Sequence, residues 1–172
     1  MADKDKDIVL ERLTDIPSEI FNEKIGLNPF LYLIDYDIRH AWCRETSIKP
    51  GLWSGYDRSI GQCAVTALLI QDLIGGDIMK CNIPAFGAHY WNRHRMAFGK
   101  SIDIDLTRDQ FPKGLVIVPN DSGDRKSMLY STNDKQFKTS QRYRLLRDRF
   151  LKNFIKGVRA RASGSWLEDT FK

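Results

Sequence analysis

Cysteine is scarce in this chain, and its arrangement excludes the common structural uses of the residue. The three thiols, Cys43, Cys63 and Cys81, form an odd set with no metal-ligand spacing. That argues against a disulfide framework or a zinc site, and for a reducing compartment. A cytoplasmic protein is therefore expected, or one exported as an effector by a signal-less route. Long apolar runs are missing as well. No stretch approaches the ~20 apolar residues of a membrane span, so no membrane partner is expected. The opening residues Met1-Ala2-Asp3-Lys4-Asp5-Lys6-Asp7 are charged where a secretion signal would need an apolar core. There is no internal repeat and no low-complexity segment, and no cofactor or metal is expected.

What is present suits one globular domain with a real core. The chain has 172 residues, 42% of them hydrophobic and 28% charged, which is ordinary for a globular domain. Its net charge of +5 is unevenly spread: residues 1–23 hold seven acidic side chains against three basic ones, and residues 138–161 hold nine basic ones against Asp148 alone. We expect an acidic arm over residues 1–35, the domain over 36–162 and a short tail over 163–172. A basic face can bind nucleic acid. A solvated helix face, or a contact with the acidic arm, explains the charge equally well, because no recognised binding motif accompanies it.

One segment stands out chemically. Gly61-Gln62-Cys63-Ala64-Val65-Thr66-Ala67-Leu68-Leu69-Ile70 sets a cysteine where a helix begins. The first turn of a helix has N–H groups with no intrahelical partner and carries partial positive charge, so it favours a thiolate, the nucleophilic form. A lone cysteine in an apolar helix is more often plain core. Val65, Leu68, Leu69 and Asp72 recur at helical spacing, and Ile70 and Leu73 widen the stripe until it looks buried nearly all round. Gly75-Gly76 closes the helix.

The remaining chain is read in order. Pro17 and Ser18 suggest a short helix in the arm, ended by Gly26 and Pro29. Phe30 to Arg44 is ambiguous, with helix favoured in its second half and His40, Trp42 and Cys43 near one edge. Lys49 to Ile60 is a loop holding Trp53 and Tyr56, which either line a substrate groove or pin the loop. Asp77 to Cys81 and Ala88 to Asn92 read as strands, with a bend at Pro84-Ala85-Phe86-Gly87 and a connection from Asn92 to Lys100 carrying His94. Ser101 to Thr107 alternates strictly and is the clearest strand. Gly114 to Val118 is a possible extra strand, and residues 119–127 form a polar loop. Ser140 to about Arg161 is a basic amphipathic helix, with Tyr143, Leu146, Phe150, Phe154 and Val158 repeating at three and four.

The alternation gathers Ser101, Asp103, Asp105 and Thr107 on the face opposite Ile102, Ile104 and Leu106. If the neighbouring strand sets His89 there, Asp103 or Asp105 can bond its imidazole and leave the other ring nitrogen for a thiol.

These segments resemble known ones. Gly61-Gln62-Cys63 resembles the segment around the transglutaminase nucleophile, His89-Tyr90-Trp91-Asn92 the one around its catalytic His, and Asp105-Leu106-Thr107-Arg108-Asp109-Gln110 the one around its catalytic Asp. Residues from about Ala41 to Lys152 more closely resemble the bacterial YunG-like family. The carriers are the Gly61 to Leu68 run with Gln71-Asp72 and Gly75-Gly76, the His89 to Arg93 and Ile102 to Phe111 segments, Trp42, Arg44-Glu45-Thr46 and Arg142-Tyr143-Arg144-Leu145-Leu146. The residue after Cys63 is Ala rather than the transglutaminase Trp, and nothing resembles a calcium site, so protein cross-linking is not implied.

The resemblance implies an α+β fold with a papain-like or transglutaminase-like core: a central helix starting at the Cys, packed on an antiparallel sheet, with the N-terminal arm and basic C-terminal helix added. It implies a Cys63, His89, Asp105 triad, with Asp103 as rival third member and Trp91 and Asn92 in support. The Cys63 N–H and a second donor, Trp53, Gln62 or Tyr56, would hold the oxyanion. The expected chemistry is cysteine-dependent acyl transfer on an amide or isopeptide bond of a peptide or protein, as a peptidase, deamidase or amine transferase. The alternative is a non-catalytic papain-like module that binds a protein or nucleic acid through the basic helix.

Overall fold

The structure, a computed structural model, describes residues 28–95 and 99–162. The expected arm helix and the tail lie outside these residues. Helix α1 spans Asn28–Ala41, taking in the first part of the ambiguous segment as well as its middle and ending before Trp42. Pro29 sits in the first turn, where its fixed φ suits a helix and its missing N–H costs nothing. Arg39 and His40 fall in the last turn, favourable to the helix dipole. Ile34, Ile38 and Ala41, one face at helical spacing, are fully buried. The expected boundary between residues 35 and 36 therefore falls inside a helix whose Ile34 already belongs to the core.

Helix α2, Cys63–Ile74, starts and stops where its residues indicate. Gly75 takes φ 72°, and its N–H donates to the Gln71 carbonyl, a C-cap that an L side chain adopts only under strain. Val65, Leu68, Leu69 and Ile70 have no exposed surface. The helix is thus covered on several sides at once.

Strand β1 (Asp77–Ile83) pairs antiparallel with β2 (Gly87–Arg95), and β2 with β3 (Ser101–Ile104). A two-residue β4, Asp121–Ser122, joins the other edge of β1, giving the order β3-β2-β1-β4. His94 lies in β2 opposite Ile102, so the β2–β3 connection is shorter than the sequence suggested. Gly114 to Val118 forms no strand. Its alternate residues Leu115 and Ile117 pack on the sheet while Val116 and Val118 are exposed, so the period-2 pattern is real but has no strand partner. Opposed residues share a face in an antiparallel pair, so Met79, Cys81 and Ile83 lie with His89 and Trp91, and Ile78 lies with Tyr90 and Asn92. The second set meets the main core around α2; the first, with Phe111, makes a smaller one.

Two short helices, α3 (Arg125–Tyr130) and α4 (Thr132–Phe137), occupy a stretch with no clear helical periodicity. The α3 N-terminus is capped by Asp124, whose carboxylate accepts from the Ser127 N–H and hydroxyl. Helix α5, Thr139–Ala162, lays Tyr143, Leu146 and Phe150 into the core, as the spacing requires. Among the described residues no helix is long and apolar enough to cross a membrane.

Arg142 is the exception on the basic helix. It is buried, with Nε donating to the Phe137 carbonyl at 2.9 Å and a terminal nitrogen to the Thr46 carbonyl at 3.0 Å. It ties α5 to the turn that follows α1. Arg142→Met keeps the apolar stem but strips those carbonyls of their donor. We expect a loss of about 2–4 kcal/mol in urea unfolding, against less than about 0.5 kcal/mol for the exposed Arg144→Met.

Candidate functional site

The turn before α2 is tightly fixed. Gly61 takes φ 70°, and a Cβ there would stand 2.5 Å from the Ser47 hydroxyl and 2.9 Å from the Lys49 nitrogen, so glycine is required. Ser47 donates to the Ile60 carbonyl at 2.7 Å and accepts from the Lys49 N–H at 2.9 Å. The Ile48 N–H donates to the Gly61 carbonyl, and the Gln62 N–H to that of Ser59. Cys63 thereby becomes the first residue of α2, at the positive end of a helix held in the core.

Its sulfur lies 3.9 Å from the Ala88 carbonyl oxygen, with the adjacent His89 on β2. The His89 ring is wholly buried. Nε2 is 2.7 Å from Asp105 Oδ2, and since a carboxylate only accepts, Nε2 donates. Nδ1 is left free for the thiol side: it is buried and, among the described residues, forms no hydrogen bond of ordinary geometry. The Cys63 sulfur is nevertheless near enough to act on it. Burial works against a charged ring, but Asp105 and then Cys63 outweigh that effect and raise the His89 pKa to about 9.

Asp105 is itself oriented. Its second oxygen, Oδ1, accepts from both the N–H and the hydroxyl of Thr107, each at 3.1 Å. Trp91 lies parallel to the His89 ring at 5.6 Å between centroids, and Phe111 meets it edge-on at 4.7 Å. Asp103 does other work: Arg93 grips it with two nitrogens, at 2.6 and 2.8 Å, and the Trp91 indole donates to it at 3.1 Å. Arg93 first, and Trp91 with it, hold its carboxyl below the usual range. Of the two aspartates, then, Asp105 meets the imidazole and Asp103 steadies the tryptophan beside it.

The other expected residues are placed differently. Gln62 is buried, its Nε2 donating to the Cys43 carbonyl at 3.0 Å. The Trp53 indole donates to the Arg58 carbonyl within its own loop, and Tyr56 is fully exposed. Asn92 faces the helix and donates to the Ala67 carbonyl at 3.0 Å. Of the remaining histidines, His40 bonds the Tyr36 carbonyl on α1. Cys81 is a core thiol whose pKa burial raises, with Asp105 and Cys63 adding to the effect. Thr107 and Phe111 carried no assigned role from sequence. The Asp-x-Thr spacing, suited to a side chain closing on backbone two residues on, was the available signal for Thr107.

Cys63 opens onto a cavity of about 790 Å³ lined largely by apolar side chains, among them Ile48, Leu52, Phe86 and Met128. His89 does not line it, so a molecule in the cavity meets the sulfur first and the imidazole behind it. The arrangement sets a thiol, an imidazole and a carboxylate in series at the wall of the cavity, the groups that nucleophilic catalysis by cysteine uses.

Fold and site together define an α+β protein in which a buried helix sets a cysteine beside a histidine of an antiparallel sheet, with an aspartate from the turn that follows the sheet's edge strand. The chain belongs to the YunG family: the family model described as YunG protein matches residues 32–155. A Bacillus subtilis (strain 168) protein named "Uncharacterized protein YunG" is 30% identical over 104 residues, covering 60% of this chain and 82% of that protein. No solved structure matches the chain.

The raised pKa of His89 has a stability consequence of definite sign. The ring's proton is held more tightly folded than unfolded, so the stabilisation is complete below the unfolded value near 6.5. It is lost as pH rises through about 9. The urea stability of the protein should exceed that of His89→Gln by about 2–3 kcal/mol more at pH 6 than at pH 10. A difference that stays constant over this range would contradict the charged pair.

Proposed function

We propose that the protein is a thiol enzyme of papain-like or transglutaminase-like design that transfers the acyl group of an amide or isopeptide bond to water. The observation that carries this reading is the imidazole of His89, fixed through Nε2 by Asp105 with Nδ1 left toward Cys63. The thiolate attacks the carbonyl carbon, and the C=O π pair moves to oxygen. Collapse of the adduct expels the amine, which takes its proton from the His89 imidazolium, and a thioester remains. The neutral ring then accepts a proton from water as it attacks the thioester, and the second collapse releases acid and thiolate. Asp105 holds the ring's orientation and compensates its charge without itself taking a proton.

The cavity beside Cys63, with Leu52, Phe86 and Met128 on its wall and Lys49, Lys80, Asp121 and Asp124 among them, suits a peptide or protein substrate offering an apolar group flanked by polar ones. The three free thiols accord with work in a reducing compartment. A binding role for the basic helix is less well supported, because Arg142 and Arg149 spend donors on the Thr46 and Ala41 carbonyls of their own chain.

The test is alkylation by iodoacetamide across pH, read at each cysteine by peptide mass spectrometry. At pH 7 Cys63 should react at least about tenfold faster than Cys43 or Cys81, and His89→Ala should remove most of that advantage. A Cys63 no faster than Cys81, or one indifferent to His89, would sink the enzyme reading.

A further inference from the structure

A tetrahedral adduct on Cys63 needs two N–H donors for its oxygen. The Cys63 main-chain N–H supplies one. The other must come from the cavity side of the sulfur. The single Trp53 indole N–H is spent on the Arg58 carbonyl, and Gln62, which is wholly buried, and the exposed Tyr56 do not line the cavity.

Gln110 is placed differently. It lies in the short 3-10 turn Arg108–Gln110 after β3 and lines the same cavity as Cys63. Its Oε1 accepts from the Gly61 N–H at 3.4 Å, two residues before Cys63. Its Nε2 donates to the Thr107 carbonyl at 2.9 Å, two residues after Asp105. The amide therefore spans the gap between the turn that holds the nucleophile and the turn that holds the aspartate. Flipping it would oppose NH2 to an N–H and oxygen to a carbonyl, so its partners fix which end is which. A primary amide carries two N–H groups. Among the described residues Nε2 makes the one bond to Thr107, which leaves its second N–H for the cavity.

We propose that Gln110 donates this second N–H to the oxyanion formed when Cys63 attacks an acyl carbon, and so is a catalytic residue. The assignment rests on the acyl-transfer reading above. As the S–C bond forms, the carbonyl π pair passes to oxygen, and the Gln110 hydrogen bond strengthens with that charge. No proton leaves Gln110.

Two probes separate this role from mere positioning. Iodoacetamide alkylates the thiolate by displacing iodide, with no oxyanion. p-Nitrophenyl acetate acylates it through a tetrahedral adduct, releasing p-nitrophenolate. Both rates at Cys63 are compared where the alkylation rate has levelled off with pH, so that thiolate content does not enter. Gln110→Ala is expected to slow acylation by about 10²-fold and to leave alkylation within about threefold. Gln110→Glu keeps an acceptor for the Gly61 N–H but has no N–H of its own, and should show the same split. Loss of both rates in parallel in both variants, or of neither, would overturn the assignment while leaving Cys63 as nucleophile. A wild-type protein that neither probe labels faster at Cys63 than at Cys81 would overturn the enzyme reading and this assignment with it.

Discussion

A helix without a solvent face has to be covered from every direction, and α2 imposes that requirement on the rest of the chain. Its residues from Val65 to Ile70 are all buried, so one layer cannot suffice. The Ile78, Tyr90 and Asn92 face of the sheet covers one side, while α1 and α5 supply Ile34, Ile38, Leu146 and Phe150 to the same core. Polar groups reaching the helix must then be satisfied individually. Trp42 donates to the Thr66 hydroxyl, Asn92 to the Ala67 carbonyl and Arg125 to that of Leu68. Asp72 is met by Arg125 at 2.7 Å and by the Tyr143 hydroxyl. This covering fixes the position of Cys63 at the start of the helix.

The imidazole depends on a second group of constraints that comes from the far face of the sheet. Cys81, Trp91 and Phe111 enclose it, and the turn after β3 brings Asp105 to it. Arg39, projecting from α1, donates to the Leu106 carbonyl and to Asp109, so the first helix also braces that turn. The thiol and its partner thus belong to different layers, which meet at the start of α2.

Much of this was legible because the signals were local. The Gly75 cap ended α2, the alternation from Ser101 fixed which aspartates share a face, and three-and-four spacing located α5. Two limits were physical. Gly114 to Val118 alternates because Leu115 and Ile117 cover the small core, and period alone cannot say whether a strand partner exists. The bonds from Gln62 to the Cys43 carbonyl and from the Gly61 N–H to Gln110 join segments brought near by tertiary structure, and no spacing reveals them. Asp105 and Asp103 were equivalent by alternation, and what divides their duties is the end of β3 at Ile104, which frees Asp105 to turn.

That meeting of layers has a thermal consequence. The core around α2 holds many large side chains, whereas the cluster under His89 has Cys81, Ile83, Trp91 and Phe111 at its centre. Structural units with few apolar contacts open at lower free energy than the global fold. The molecule therefore has a route to a state that keeps its helices and its main core but whose histidine no longer addresses the thiol. Warming would reach that state before the helices melt, so the approach of His89 to Cys63 persists over a narrower range than the fold itself.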